Sequence, residues 1–242
     1  MSDRLFDPSG FVYAHRGLWG GVVPENSLAA FRAAAAAGVG VELDVRLTAD
    51  GLPVVFHDAT MERMCGDPRR LDQLFVTDLP WLKLPDGSAI PTLEEVLDVM
   101  ASQPVLIELK IDEPGGILAE TVAALIMDRP GQMTAMSFDE PTVAKLCNLI
   151  EDRPVGLLIA SADLIGAEAV AAKTGRARAM GCDYLAPHFS SLDVAAPLAG
   201  GLPLVTWTVR DERQLSLSRK HGAAPIFEGF SADLAKSGRT PI

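Results

Sequence analysis

The chain has 242 residues, a formal net charge of −11 and 48% hydrophobic content. That length and apolar fraction are enough to bury one large core, and they exclude a disordered chain. The acidic balance excludes a protein that grips nucleic acid through a broad basic face, or a membrane through a polybasic anchor. It still allows a local pocket where a cation and a few basic side chains receive a small anion.

Three cysteines, Cys65, Cys147 and Cys182, form no paired spacing and read as reduced thiols. Residues 1–10 are polar and lack the apolar run of a signal peptide. No apolar stretch reaches the ~20 residues of a membrane span. A cytoplasmic protein without a stable membrane anchor is the expectation.

Along the chain, short apolar runs alternate with helical segments. Residues 11–14 read as a strand, and 28–37 as a helix capped by Asn26 or Ser27 and stopped by Gly38. Residues 39–47 read as a second strand. The turn Thr48-Ala49-Asp50-Gly51 then returns a further strand over 53–57, making a hairpin. Residues 58–90 carry little periodicity and many breakers, and read as an irregular excursion with a short helix around 71–74. A helix over 91–101 follows. Strands are predicted at 105–109, 133–137, 155–159, 183–187, 204–209 and 225–227. Helices are predicted at 117–128, 141–150, 167–181 and 212–221, with a poor, short one at 192–198. Without the returning arm of the hairpin this gives eight strands. Short connections make them parallel, with right-handed crossovers. The pattern predicts a single-domain α/β TIM-type (β/α)8 barrel over residues 1–242, with a β-hairpin extension and an insertion at 58–90. Periodicity alone leaves a doubly wound sheet open.

The unusual polar residues fall at strand ends, where a barrel carries its chemistry. The first strand ends in His15-Arg16-Gly17, the second carries Glu42 and Asp44, and the next ends in Glu108 and Lys110. Glu42 and Asp44 are two apart and share one face of their strand. Carboxylates that close raise each other's pKa unless a cation lies between them. A hairpin turning on Asp50 places Asp44 near Val55 and Glu42 near His57, and Glu108 arrives from the neighbouring strand. Three carboxylates without a thiolate suit one hard divalent cation, Mg²⁺ or Ca²⁺. His15 and His57 stand in polar runs at strand ends, while His188 could line the same pocket and His221 sits at a helix end.

These residues, in this order, resemble the glycerophosphodiester phosphodiesterase family. The resemblance runs through Ala14-His15-Arg16-Gly17, Pro24-Glu25-Asn26-Ser27-Leu28, the run from Glu42 to Asp58, Ile90-Pro91-Thr92-Leu93-Glu94-Glu95, Ile107-Glu108-Leu109-Lys110, Ser137-Phe138-Asp139 and Thr206-Trp207-Thr208-Val209. It implies a barrel with metal ligands at Glu42, Asp44 and Glu108, and His15 and His57 as general acid and base. It further implies that Arg16 and Lys110 grip the phosphate, that Glu25 and Asn26 shape the first loop, and that Trp207 walls a glycerol pocket. The implied reaction is hydrolysis of a glycerophosphodiester to glycerol 3-phosphate and an alcohol, with a small-molecule phosphodiester as partner. Gly17 is expected to let the backbone approach the phosphate, or else to serve a strand-end turn.

Three features depart from the family pattern. Arg210 stands where relatives often carry Asn, Glu228 follows Phe227 where a Thr-Asp pair is common, and the 58–90 segment is short, which suggests an open mouth. Leu74, Phe75, Trp81 and Leu84 in that segment keep lysophospholipids, or sugar phosphodiesters, as alternative substrates. A non-catalytic phosphate-binding barrel is the remaining alternative.

Overall fold

The computed structural model describes residues 6–111 and 117–237. Nine strands form one sheet: β1 (Tyr13–His15), β2 (Gly40–Leu47), β3 (Pro53–Val55), β4 (Val105–Leu109), β5 (Met133–Ser137), β6 (Val155–Ile159), β7 (Tyr184–Pro187), β8 (Val205–Val209) and β9 (Ala224–Phe227). The order β7-β6-β5-β4-β2-β1-β9-β8 is parallel throughout, with β3 antiparallel on β2. Parallel bridges Leu185–Leu204 and His188–Trp207 join the two ends. Eight parallel strands therefore curl into the expected TIM barrel, and β3 is the hairpin arm.

Helices alternate with the strands: α1 (Leu28–Ala36), α2 (Glu62–Cys65), α3 (Leu93–Val99), α4 (Ile117–Met127), α5 (Glu140–Leu149), α6 (Ala162–Ile165), α7 (Ala167–Met180), α8 (Leu192–Leu198), α9 (Glu212–Lys220) and α10 (Ala232–Lys236). Local chemistry sets their starts. Ser27 Oγ accepts the Ala30 N–H and caps α1. Thr92 and Glu95 form a reciprocal capping box on α3. The small α6 was not foreseen in the sequence, because four residues carry no readable period.

Side chains alternate across each strand, so the barrel has two cores. Val41, Leu43, Ile107, Ala135 and Leu157 face outward into the layer beneath the helices. Tyr13, Leu106, Met136, Leu158 and Tyr184 fill the interior. Two inward glycines make room for the large rings. A Cβ on Gly156 would lie 2.3 Å from the Tyr184 ring, and one on Gly40 would lie 2.7 Å from Tyr13. The Tyr184 hydroxyl is satisfied by Thr134 Oγ1 at 2.5 Å, and both residues are fully buried.

The hairpin register differs from expectation by one residue. Leu47 pairs with Pro53, so five residues separate the paired strands rather than four, and Thr48 N–H donates to Leu52 O at 3.0 Å within that loop. Val45 consequently pairs with Val55, Leu47 with Pro53, and Asp44 O accepts the N–H of Phe56. Asp44 is not opposite Val55, and His57 lies beyond the ladder instead of facing Glu42. The excursion after β3 builds its own small core from Met61, Leu71, Leu74, Leu82, Leu84 and neighbours. The helix expected around 71–74 is a single 3₁₀ turn, Leu71–Gln73, because Asp67-Pro68 and the following breakers allow no longer run. Among the described residues no helix is long and apolar enough to cross a membrane.

Gly156→Ala should destabilise the barrel by about 1–3 kcal/mol, the usual cost of overpacking a filled core. Urea unfolding measures this, and a variant as stable as the parent would show that the Tyr184 ring can move aside.

Candidate active site

The C-terminal end of the barrel gathers the predicted polar residues. In register, His15 pairs with Glu42 across β1 and β2, and Asp44 with Glu108 across β2 and β4. All four point inward, as do their i±2 neighbours. Glu42, Asp44 and Glu108 are buried, and one oxygen from each lies within 4.8 Å of the others. Lys110 Nζ reaches Asp44 Oδ1 at 3.0 Å and Glu108 Oε1 at 2.6 Å. Arg16 Nε lies 3.2 Å from Asp44 Oδ2, which also accepts the Asn26 side-chain N–H at 2.9 Å.

The electrostatics follow from this placement. Burial, then the charges of Asp44 and Glu108, push the Glu42 pKa well above the usual carboxylate range. Burial pushes Glu108 up to about 7 against the pull of Lys110. Burial also acts on Asp44, but the cations Lys110 and Arg16, then His57 and His15, outweigh it and hold Asp44 ionised far below its ordinary value. The cluster thus carries more acid than its two cations neutralise. Glu42 Oε2 is buried without a hydrogen-bond partner. Oxygens sharing one ion at about 2.0–2.6 Å cannot be more than about 5 Å apart. The spacing, the hard oxygen donors and the orphaned Glu42 oxygen all fit a divalent cation.

Arg16 and Asn26 are the two non-glycine residues with positive φ among those described, at 57° and 53°. Such strain concentrates where side chains must be aimed. The Asn26 N–H donates to Arg16 O at 2.9 Å and closes the loop between β1 and α1. Gly17, at φ 83°, packs closely on α1: a Cβ there would lie 2.8 Å from the Ala30 Cβ. Glu25 Oε1 accepts from Arg16 Nη1 at 2.9 Å.

Both imidazoles line the same cavity of about 290 Å³, with Arg16, Glu42, Glu108 and Lys110. Its other wall is apolar, made by Met136, Phe138, Leu158, Trp207 and Ile226. Trp207 is fixed by its Nε1–H bond to Ala186 O at 2.8 Å and meets Phe138 edge-on at 5.3 Å. His188 packs behind Trp207 and bonds Ser190 instead of lining the cavity, and His221 pairs with Asp193. None of Leu74, Phe75, Trp81 or Leu84 lines the cavity: Leu74 and Leu84 are buried in the excursion, and Phe75 and Trp81 are exposed.

Four residues were given no role in the sequence reading. His57 Nδ1–H donates to Asp58 Oδ1 at 2.7 Å, and Arg63 Nε donates to Asp58 Oδ2 at 2.5 Å. His15 Nδ1–H donates to Glu228 Oε2 at 2.5 Å, and Arg210 Nε to Glu228 Oε1 at 2.5 Å. Asp58 adjoins His57 and could have been flagged. Arg210 and Glu228 were visible only as departures from a pattern, and Arg63 gave no signal in a stretch without periodicity. Burial opposes the ionisation of Glu228, but its bond to the His15 imidazole and the Arg210 charge hold its pKa down at about 2. Burial pulls the His57 pKa below its ordinary value despite Asp44.

An eight-stranded parallel barrel whose mouth joins three carboxylates, two imidazoles and two cations defines a TIM-barrel protein of the enzyme type. Residues 15–231 match the glycerophosphoryl diester phosphodiesterase family, and the chain belongs to that family. A glycerophosphodiester phosphodiesterase of Bacillus subtilis is 27% identical over 90% of this chain and 82% of its own length. One of Caldanaerobacter subterraneus is 37% identical over 41% of this chain and 44% of its own. The matched stretches span less than half the length of several such curated relatives. The solved phosphodiesterase of Oleispira antarctica, in complex with the product sn-glycerol-3-phosphate, shares the fold with a TM-score of 0.76. It is 24% identical, and the match covers 90% of this chain and 92% of that one.

The raised Glu108 pKa has a consequence for stability. An unfolded glutamate titrates near ~4.3. Between there and about 7 the folded chain holds a proton that the unfolded chain has released. Glu108 therefore makes stability fall as pH rises through that window. With chelator present, Glu108→Gln should gain stability relative to the parent from pH 4.5 to pH 8 in urea unfolding. A gap that is constant, or that narrows with pH, contradicts the assignment.

Proposed function

We propose that the protein is a divalent-cation-dependent glycerophosphodiester phosphodiesterase that releases sn-glycerol 3-phosphate and an alcohol. The observation that carries this reading is the buried Glu42–Asp44–Glu108 cluster, with an imidazole on each flank and a cavity of small-molecule size above it. Family membership and the printed activity of the relatives support it.

Glu42, Asp44 and Glu108 would hold one Mg²⁺ or Ca²⁺. Such an ion supplies Lewis-acid polarisation of the phosphoryl group and acidifies a hydroxyl. Arg16 and Lys110 bind the phosphate and offset the negative charge that grows on it in the transition state. His15 and His57 exchange protons with the attacking and leaving oxygens through Nε2, since each Nδ1 is committed to a carboxylate. One acts as acid while the other acts as base. The wall of Trp207 and Phe138 receives the carbon face of glycerol. Glu25 aims Arg16, and Asn26 bonds both the Asp44 carboxylate and the Arg16 backbone.

His15→Ala and His57→Ala should each lower turnover of glycerophosphodiesters by roughly 10²–10⁴ with the melting temperature little changed. Near-native rates in both variants would remove the acid–base assignment. Chelation should abolish hydrolysis and added Mg²⁺ or Ca²⁺ restore it; a rate indifferent to EDTA would sink the metal reading. A screen of head groups that includes lysophosphatidylcholine tests the substrate class, and the polar mouth predicts preference for the deacylated diesters.

A further inference from the structure

Each imidazole at the mouth rests on a carboxylate, and each of those carboxylates rests on an arginine. The Arg63 arm goes one step further than the Arg210 arm. Arg63 Nη2 also donates to Glu25 Oε1 at 2.6 Å, the same oxygen that accepts from Arg16 Nη1. One guanidinium therefore connects Arg16, through Glu25, to His57, through Asp58. Arg63 lies on α2, in the excursion beside the barrel, and contributes nothing to the cavity lining.

The chemistry of the pair explains why an arginine stands here. Glu25 and Asp58 are both largely shielded, with side chains 10% and 22% exposed. Two carboxylates drawn to one point repel unless a cation lies between them. A guanidinium presents five donors in a rigid planar fork and can satisfy two carboxylates in one fixed geometry, whereas a lysine ammonium is a point charge on a flexible stem. Helix α2 has only four residues, but its approach is anchored. Met61, just before it, is fully buried in the excursion's own core, and its N–H donates to Arg69 O. The excursion thus delivers one charged group to a set place at the edge of the mouth.

We propose that Arg63 is a positioning residue of the reaction, setting the phosphate-binding Arg16 and the proton-transferring His57 in register with each other. This rests on the functional reading above. Removing Arg63 leaves Asp58 free to turn with His57 and leaves Glu25 to hold Arg16 alone. The loss should therefore appear in both binding and turnover, although Arg63 touches no reacting atom.

Steady-state kinetics on a glycerophosphodiester, with Mg²⁺ present, test this with Arg63→Ala, Arg63→Lys, Asp58→Asn and Glu25→Gln. Arg69→Ala serves as control, because it breaks an exposed ion pair of the same excursion, with Asp67. Arg63→Ala should lower kcat on the order of 10–100-fold and raise KM. Adding it to Asp58→Asn should lower kcat little further, and adding it to Glu25→Gln should raise KM little further. Arg63→Lys should recover only part of the loss, and Arg69→Ala should match the parent. The ¹⁵N spectrum of the His57 imidazole gives an independent reading: the parent should show the Nδ1–H form, and Arg63→Ala an averaged one. If Arg63→Ala fails to fold, Arg63→Lys carries the same measurements. Unchanged kinetics with an unchanged imidazole spectrum overturn the proposal, as do fully additive double variants or an equal loss in Arg69→Ala. A parent that hydrolyses no glycerophosphodiester would end the functional reading instead, and the imidazole spectrum would still decide whether Arg63 holds His57.

Discussion

Burying three carboxylates side by side is the constraint around which this molecule is arranged. Left alone, Glu42, Asp44 and Glu108 would take up protons and lose the charge that makes them useful. Two cations prevent this only in part. Lys110 and Arg16 settle on Asp44, which stays ionised, while Glu42 and Glu108 are pushed towards the protonated state. The remaining deficit of positive charge is what a divalent ion would fill. The nearby strained φ angles of Arg16 and Asn26 are tolerated because both residues are pinned to Asp44.

The barrel makes that concentration of charge possible. Parallel strands place successive side chains alternately inside and outside, so residues two apart climb one interior wall. Low on the wall are Tyr13, Gly40, Gly156 and Tyr184, which close the floor without polar strain. One step higher β1, β2 and β4 carry His15, Glu42 and Glu108.

Around this centre lies a second layer of charge. Asp58 with Arg63 and Glu228 with Arg210 do the same for the two imidazoles: a carboxylate fixes Nδ1 and an arginine keeps the carboxylate ionised and in place. Glu228 and Arg210, which departed from the family pattern in sequence, meet each other in space and form one device. The short excursion brings Arg63 to Glu25 and Asp58, while its exposed apolar side chains, Phe75 and Trp81, lie outside the cavity.

The sequence by itself determined the order of strands and helices and the inner ring of the site. Strand and helix periods, with caps such as Ser27 and Thr92, are local properties that a chain declares residue by residue. The spacing of Glu42 and Asp44 declares a shared face. Tertiary structure decided the rest. The hairpin register turned on the pairing of Leu47 with Pro53 across a five-residue loop, which no alternation pattern encodes. The room demanded at Gly17 belongs to Ala30, and that at Gly156 to Tyr184, neighbours that only packing brings near. Arg63 is 38 positions from Glu25 and Glu228 is 213 from His15, so their ion pairs exist only once the barrel closes and the excursion folds back upon it.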